Sequence, residues 1–142
     1  MVETVPSFEH FDHQADVGIR GHGHTLAQAF EQAALALVAV VVSPGDVRAI
    51  ERMHVTCRAE DHELLLLDWL NAVIYQMAAS TMVFGEFKVH VEGTSLDGEL
   101  VGERIDRARH AVGVEVKAAT PNSLRVAQVA PDHWLAQCVV DV

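Results

Sequence analysis

The run His10-Phe11-Asp12-His13-Gln14-Ala15-Asp16 packs two imidazoles and two carboxylates into seven residues. Imidazoles at short spacing can hold zinc or shuttle protons, whereas carboxylates prefer hard cations. On a helix, His10, His13 and Asp16 would share a face. Gly18, Gly21 and Gly23 and the lack of a cap argue against a helix here. On one continuous strand, His10 and Asp16 share a face and His13 points away. The spacing alone therefore builds no three-ligand zinc site. His22 and His24 would share a strand face and could chelate, or lie in a loop before Thr25. At each position an ordinary hydrogen-bonded or surface histidine is the better reading. A small metal-dependent hydrolase built on His10, His13 and Asp16, with Asp141, stands as the enzyme alternative.

The other end of the chain adds oxygen. In "CVVDV", Asp141 directly precedes Val142. If the first and last strands are neighbours, the Asp141 carboxylate and the Val142 backbone and carboxylate would face Asp16. Several hard oxygen donors completed by water suit calcium or magnesium better than zinc. The plain alternative is a solvated tail acid. Other chemistries find little support. There is no G-x-S-x-G and no phosphate loop ending in GK[ST], and Cys57 and Cys138 form no CxxC pair. Both cysteines read as small buried hydrophobes.

These residues need elements to position them. "FEHFDHQADVGIRGHG" reads as a strand, or as a strand pair broken near Asp12. Thr25 and Gln28 form a capping box, followed by Leu26, Phe30, Ala33, Leu37 and Val41 at helical spacing. Ser43-Pro44-Gly45 ends that helix. Met53 to Ala59 reads as a strand, and Asp61 caps a second, mostly buried helix. Its apolar face is Leu64, Leu65, Trp69, Ala72, Val73 and Met77, opposite Asp68, Asn71 and Tyr75. The second half is β. Phe87, Val89 and Val91 alternate with polar residues, Asp97-Gly98 signals a hairpin, and Glu99 to Ile105 follows. Val112, Val114, Val116 and Ala118 form another strand. Thr120 to Ser123 is a turn, and Leu124 to Val129 and Trp134 to Val140 close the chain. Short turns make neighbouring strands antiparallel. The expected fold is α+β: one domain over residues 1–142, a largely antiparallel sheet with two helices packed on one face.

Bulk properties narrow the function. Half of the 142 residues are apolar, so the chain can bury a core. The longest apolar stretch, within Ala33 to Val42, is far short of the roughly 20 residues that span a bilayer. The expected setting is soluble and cytoplasmic, with no membrane partner. Twenty acidic residues against ten Lys and Arg leave a net charge of −10. A protein that grips nucleic acid alone needs a basic footprint, so RNA would be held through a partner.

Five pieces together resemble the archease family: "FDHQADVGIRGHGHTLAQAFEQAALAL", "LLLLDWLNAVIYQM", "GERIDRARH", "VEVKAATPNSLRV" and "WLAQCVVDV". They come in the family's order and span nearly the whole chain. The most telling are H-x-A-D-V-G-I (His13 to Ile19), E-V-K-A-x-T (Glu115 to Thr120) and the D-[IV] end (Asp141, Val142). The resemblance implies a small α+β protein that is not itself a catalyst. It assists an RtcB-type RNA ligase in tRNA splicing and RNA repair, speeding guanylylation of the ligase's histidine and promoting multiple turnover. It also implies a metal site, taken for calcium, on Asp16, Asp141 and Val142. His13, Glu103 and Lys117 match the family pattern as well, with structural or partner-contact roles. Gln14 stands where the family has threonine, with little change expected at Asp16. Thr120-Pro121-Asn122 replaces the usual T-Y-H, which alters the tip of that turn.

Overall fold

A computed structural model of the chain describes residues 5–13 and 15–142; the Gln14 expectation falls outside them. The elements run β1 (Ser7–His13), β2 (Asp16–Gly23), α1 (Leu26–Val41), a 3-10 turn (Pro44–Asp46) and β3 (Glu51–Arg58). They continue as α2 (His62–Ser80), β4 (Met82–Glu92), β5 (Ser95–Arg104), β6 (Ala118–Ala130) and β7 (His133–Asp141). The fold is α+β, as expected. The anticipated single sheet resolves into two antiparallel sheets, ordered β1-β2-β7-β6 and β3-β5-β4. Each helix packs against both.

Local chemistry explains both helices. The Thr25 hydroxyl accepts from the Gln28 amide at 3.1 Å, and the Asp61 carboxylate accepts from Leu64 N at 2.8 Å. Gln28 reaches back as in a capping box, but to the amide of His24, one residue before the cap. The buried face of α2 is rotated from expectation. Leu65, Leu66, Trp69, Leu70, Val73 and Ile74 are buried, whereas Leu64 is 39% exposed and Ala72 and Met77 are half-buried. Two sheets touch this helix, so a wider arc than one sheet requires is covered.

Three turn and strand expectations in the second half are corrected. Asp97-Gly98 lies inside β5, and the β4–β5 hairpin turns at Gly93-Thr94, where Gly93 has φ 62°. Gly98 serves packing instead: a Cβ there would collide with the Trp69 ring. Residues 112–117 form no strand. Val112 and Val116 pack on the core while Val114 is 52% exposed, and the segment's Gly113 N–H bonds to the Val41 carbonyl at the end of α1 rather than to a neighbouring strand. The turn expected at residues 120–123 is a bulge inside one continuous strand. Pairing jumps from Thr120 opposite Val139 to Arg125 opposite Gln137, with Ser123 at φ 55°.

The core lies between the sheets. Phe30, Leu37 and Val38 from α1 and Leu65, Trp69 and Leu70 from α2 meet Ile19, Cys138 and Val140 on one side. Phe84, Phe87, Leu96 and Leu100 meet them on the other. Trp69 Nε1 donates to the Phe30 carbonyl at 3.1 Å and its ring meets Phe87 edge-on, which satisfies its one polar group.

Candidate functional site

The last strand, β7, lies beside β2, with the first strand, β1, on the far side of β2. β2 and β7 pair antiparallel with Val17 opposite Val140. Continued one residue outward, the same register would bring Asp16 across from Asp141, each at the end of its strand. β1 and β6 extend the same rung, because His13 stands opposite Asp16 and Ala118 opposite Asp141. Facing residues in antiparallel strands point to the same side of the sheet. Alternation along β2 fixes which side. Cβ atoms added at Gly21 and Gly23 would strike the α1 backbone, and Ile19, in the same phase, is fully buried. The even-numbered residues of β2 take the other face. Asp16 therefore points away from α1, together with Arg20 and His22.

This placement reverses one expectation. β1 and β2 are two strands, not one, and the chain folds back between His13 and Asp16. His13 therefore shares a face with Asp16, and His10 takes the opposite one. There, His10 Nε2 lies 2.8 Å from the Ala36 carbonyl of α1. His10, His13 and Asp16 do not converge. Nor do His22 and His24 chelate together. His22 meets His133 at 2.8 Å and Glu9 at 3.1 Å, whereas His24 Nδ1 lies 3.1 Å from the Asp132 carbonyl.

Among the described residues, no group of three or more His, Cys, Asp or Glu side chains is arranged to hold a metal. The Asp16–Asp141 rung offers two carboxylates, both half-buried. Neither accepts a hydrogen bond or pairs with a cation among the described residues. The Asp141 carbonyl is already taken by Lys117 N at 2.9 Å. Val142 packs its side chain against the core. His13 Nδ1, opposite Asp16, is a buried side-chain nitrogen with no partner among the described residues. Facing like charges in a sheet are unfavourable unless something offsets them. The carboxylate oxygens of Asp16 and Asp141 are of the type a hard divalent cation takes, and among the described residues no third such side chain joins them.

Glu103 has a clear structural role. It is buried and accepts from Arg109, from the Arg48 amide at 2.7 Å and from His110 Nε2 at 3.1 Å. His110 Nδ1 accepts from the Asp106 amide, which leaves the ring proton on Nε2. The Arg109 guanidinium above all, with the Arg48 amide and the His110 ring, holds the Glu103 carboxyl at about 2. "GERIDRARH" held this signal, but sequence spacing does not show that the chain between Glu103 and His110 closes into a loop. The Lys117 side chain is exposed beside the Asp141 strand. Cys138 is buried and Cys57 only half-buried; burial pushes the Cys138 thiol up to about 12.

Comparison with known proteins decides the lineage. Residues 8–142 match the archease protein family. The chain belongs to the archease family. Protein archease of Pyrococcus furiosus is 37% identical over 139 residues, covering 95% of this chain and 98% of that protein. Protein archease of Methanosarcina acetivorans is 35% identical, covering 95% of each. The solution structure of Methanobacterium thermoautotrophicum protein 1598 has a TM-score of 0.85 at 32% identity, covering 97% of this chain and all of that one. A Thermotoga maritima archease crystal structure, described as a possible chaperone, shares the archease fold with a TM-score of 0.65 at 20% identity and covers 93% of this chain. No helix among the described residues is long and apolar enough to cross a membrane.

Proposed function

We propose that this archease-family chain is an accessory protein of an RtcB-type RNA ligase, promoting ligase guanylylation and multiple turnover in cytoplasmic tRNA splicing or RNA repair. The ligase partner is what the resemblance to the family implies. The observation that supports the site is the antiparallel pairing of β2 with β7 up to Val17 opposite Val140, which leaves Asp16 and Asp141 as the next residues on adjacent strands, neither ion-paired among the described residues. Asp16, Asp141 and a backbone oxygen of Val142 would hold calcium, or magnesium or another divalent cation. Such an ion, when bound, supplies a compact positive charge that can dominate the local field. The chain's own part is to fix these oxygens on rigid neighbouring strands and present them at the end of the sheet. RNA stays with the ligase, consistent with a net charge of −10.

The hydrolase alternative on His10, His13 and Asp16 loses its constellation, because His10 is bonded to α1 on the other face. The buried, strongly protonated Cys138 thiol offers no nucleophile. The test uses the cognate ligase. Asp16→Ala and Asp141→Ala should each lose most of the stimulation of guanylylation while keeping the wild-type circular dichroism spectrum. Folded variants that stimulate like wild type would remove the site assignment.

A further inference from the structure

The sheet face that carries the Asp16–Asp141 rung also carries a second polar site. The rung of Glu9, Arg20, Gln137 and Arg125 crosses all four strands of the first sheet. It lines a pocket of about 320 Å³ together with His22 and His133. Arg20 is four residues along β2 from Asp16, which at about 3.3 Å per residue puts the two rungs roughly 13 Å apart.

The pocket is organised before any ligand arrives. Arg20 donates from Nε to Gln137 Oε1 at 2.8 Å and from one terminal nitrogen to Glu9 at 2.6 Å, and its guanidinium stacks on Phe11 at 4.6 Å. Gln137 is held in turn by the Ser123 carbonyl at 3.1 Å. These contacts use two of the five N–H donors of Arg20. Glu9 is already matched: Arg20 and His22 both bond to it, and Arg20 first among them holds its carboxyl below the usual range. The Arg125 side chain has no hydrogen bond or ion pair among the described residues. Among the described residues that line it, two guanidiniums stand against one carboxylate, in a protein whose overall charge is −10.

We infer that this pocket binds a phosphate group, carried by a nucleotide or by an RNA end. Donors approach from Arg20 and from Arg125 across Gln137, two strands apart on the same rung. A tetrahedral oxyanion uses donors from several directions, whereas a carboxylate uses one planar fork. The volume is at the lower end of small-ligand pockets, enough for a phosphate and part of a sugar. The nucleic-acid source of the phosphate rests on the proposed function; the pocket itself does not.

The test is an NMR titration of the isolated chain with inorganic phosphate at constant ionic strength. Saturable shifts are expected at Arg20 Nε, the Gln137 side-chain amide and the His22 and His133 rings. Arg125→Ala should weaken binding about tenfold, as expected for a lost charge-assisted hydrogen bond. Arg58→Ala, on the exposed end of β3, should not. Tighter binding of a nucleoside monophosphate, or of an oligoribonucleotide ending in phosphate rather than hydroxyl, identifies the source. Unsaturable shifts, equal loss in Arg58→Ala, or no ligand tighter than inorganic phosphate would overturn the inference. Because no ligase is present, a chain that binds phosphate but fails to stimulate a ligase counts against the function alone.

Discussion

Glu103 shows what one buried carboxylate can organise. Its two oxygens gather Arg109, the Arg48 amide and His110, and so pin the loop after β5 to the body of the protein. Its folded value of about 2 lies below the ordinary 4.5. A depressed carboxylate contributes stability that is fully present above its unfolded value and is lost as pH falls through its folded value. The wild type should therefore lose stability between about pH 4.5 and 2 more steeply than Glu103→Gln. That variant keeps the shape but lacks the titration, and at neutral pH it should melt lower than wild type. Thermal melts of both proteins from neutral to acid pH check this, and parallel profiles would contradict it.

At the level of elements, the helices were legible because their signals are local. Thr25 and Asp61 announce caps, and Pro44 announces a stop. The misread strands depended on partners far along the chain. Asp97-Gly98 carries a turn signature, yet Gly98 is a strand residue because Trp69 occupies the space a side chain would need. Only the packing of α2 on β5 reveals that use. Residues 112–117 alternate like a strand, but they enter neither sheet; only Lys117 N, just before β6, bonds to β7. Around the proposed carboxylate pair, strand phase was the hidden part. Both aspartates could be named from residue type, whereas the phase of His13 depended on where the chain reversed. Gly98→Ala tests the packing account. Forcing a methyl against the Trp69 ring should cost about 1–3 kcal/mol, read as a lower denaturant midpoint with an unchanged slope. Pairing it with Trp69→Phe, which vacates that space, should recover part of the loss.

For the molecule as a whole, the proposed metal site would couple ion binding to closure of the first sheet. β2 and β7 are central in the order β1-β2-β7-β6, and Asp16 and Asp141 lie one residue beyond the Val17–Val140 end of their pairing. In the proposed site, like charges facing each other would weaken the pairing of these strand ends when no cation is present. An ion that binds the folded sheet and not the unfolded chain stabilises it by mass action, about 2.7 kcal/mol at a hundredfold excess over Kd. Calcium should thus raise the melting temperature in proportion to the logarithm of its concentration, and a chelator should reverse the rise. Asp16→Asn relieves the repulsion and removes a ligand. It should melt above the metal-free wild type and show little response to calcium. The opposite sign on both counts, a less stable variant that still responds, would mean that the two carboxylates are held apart and that the ion binds elsewhere on this acidic surface.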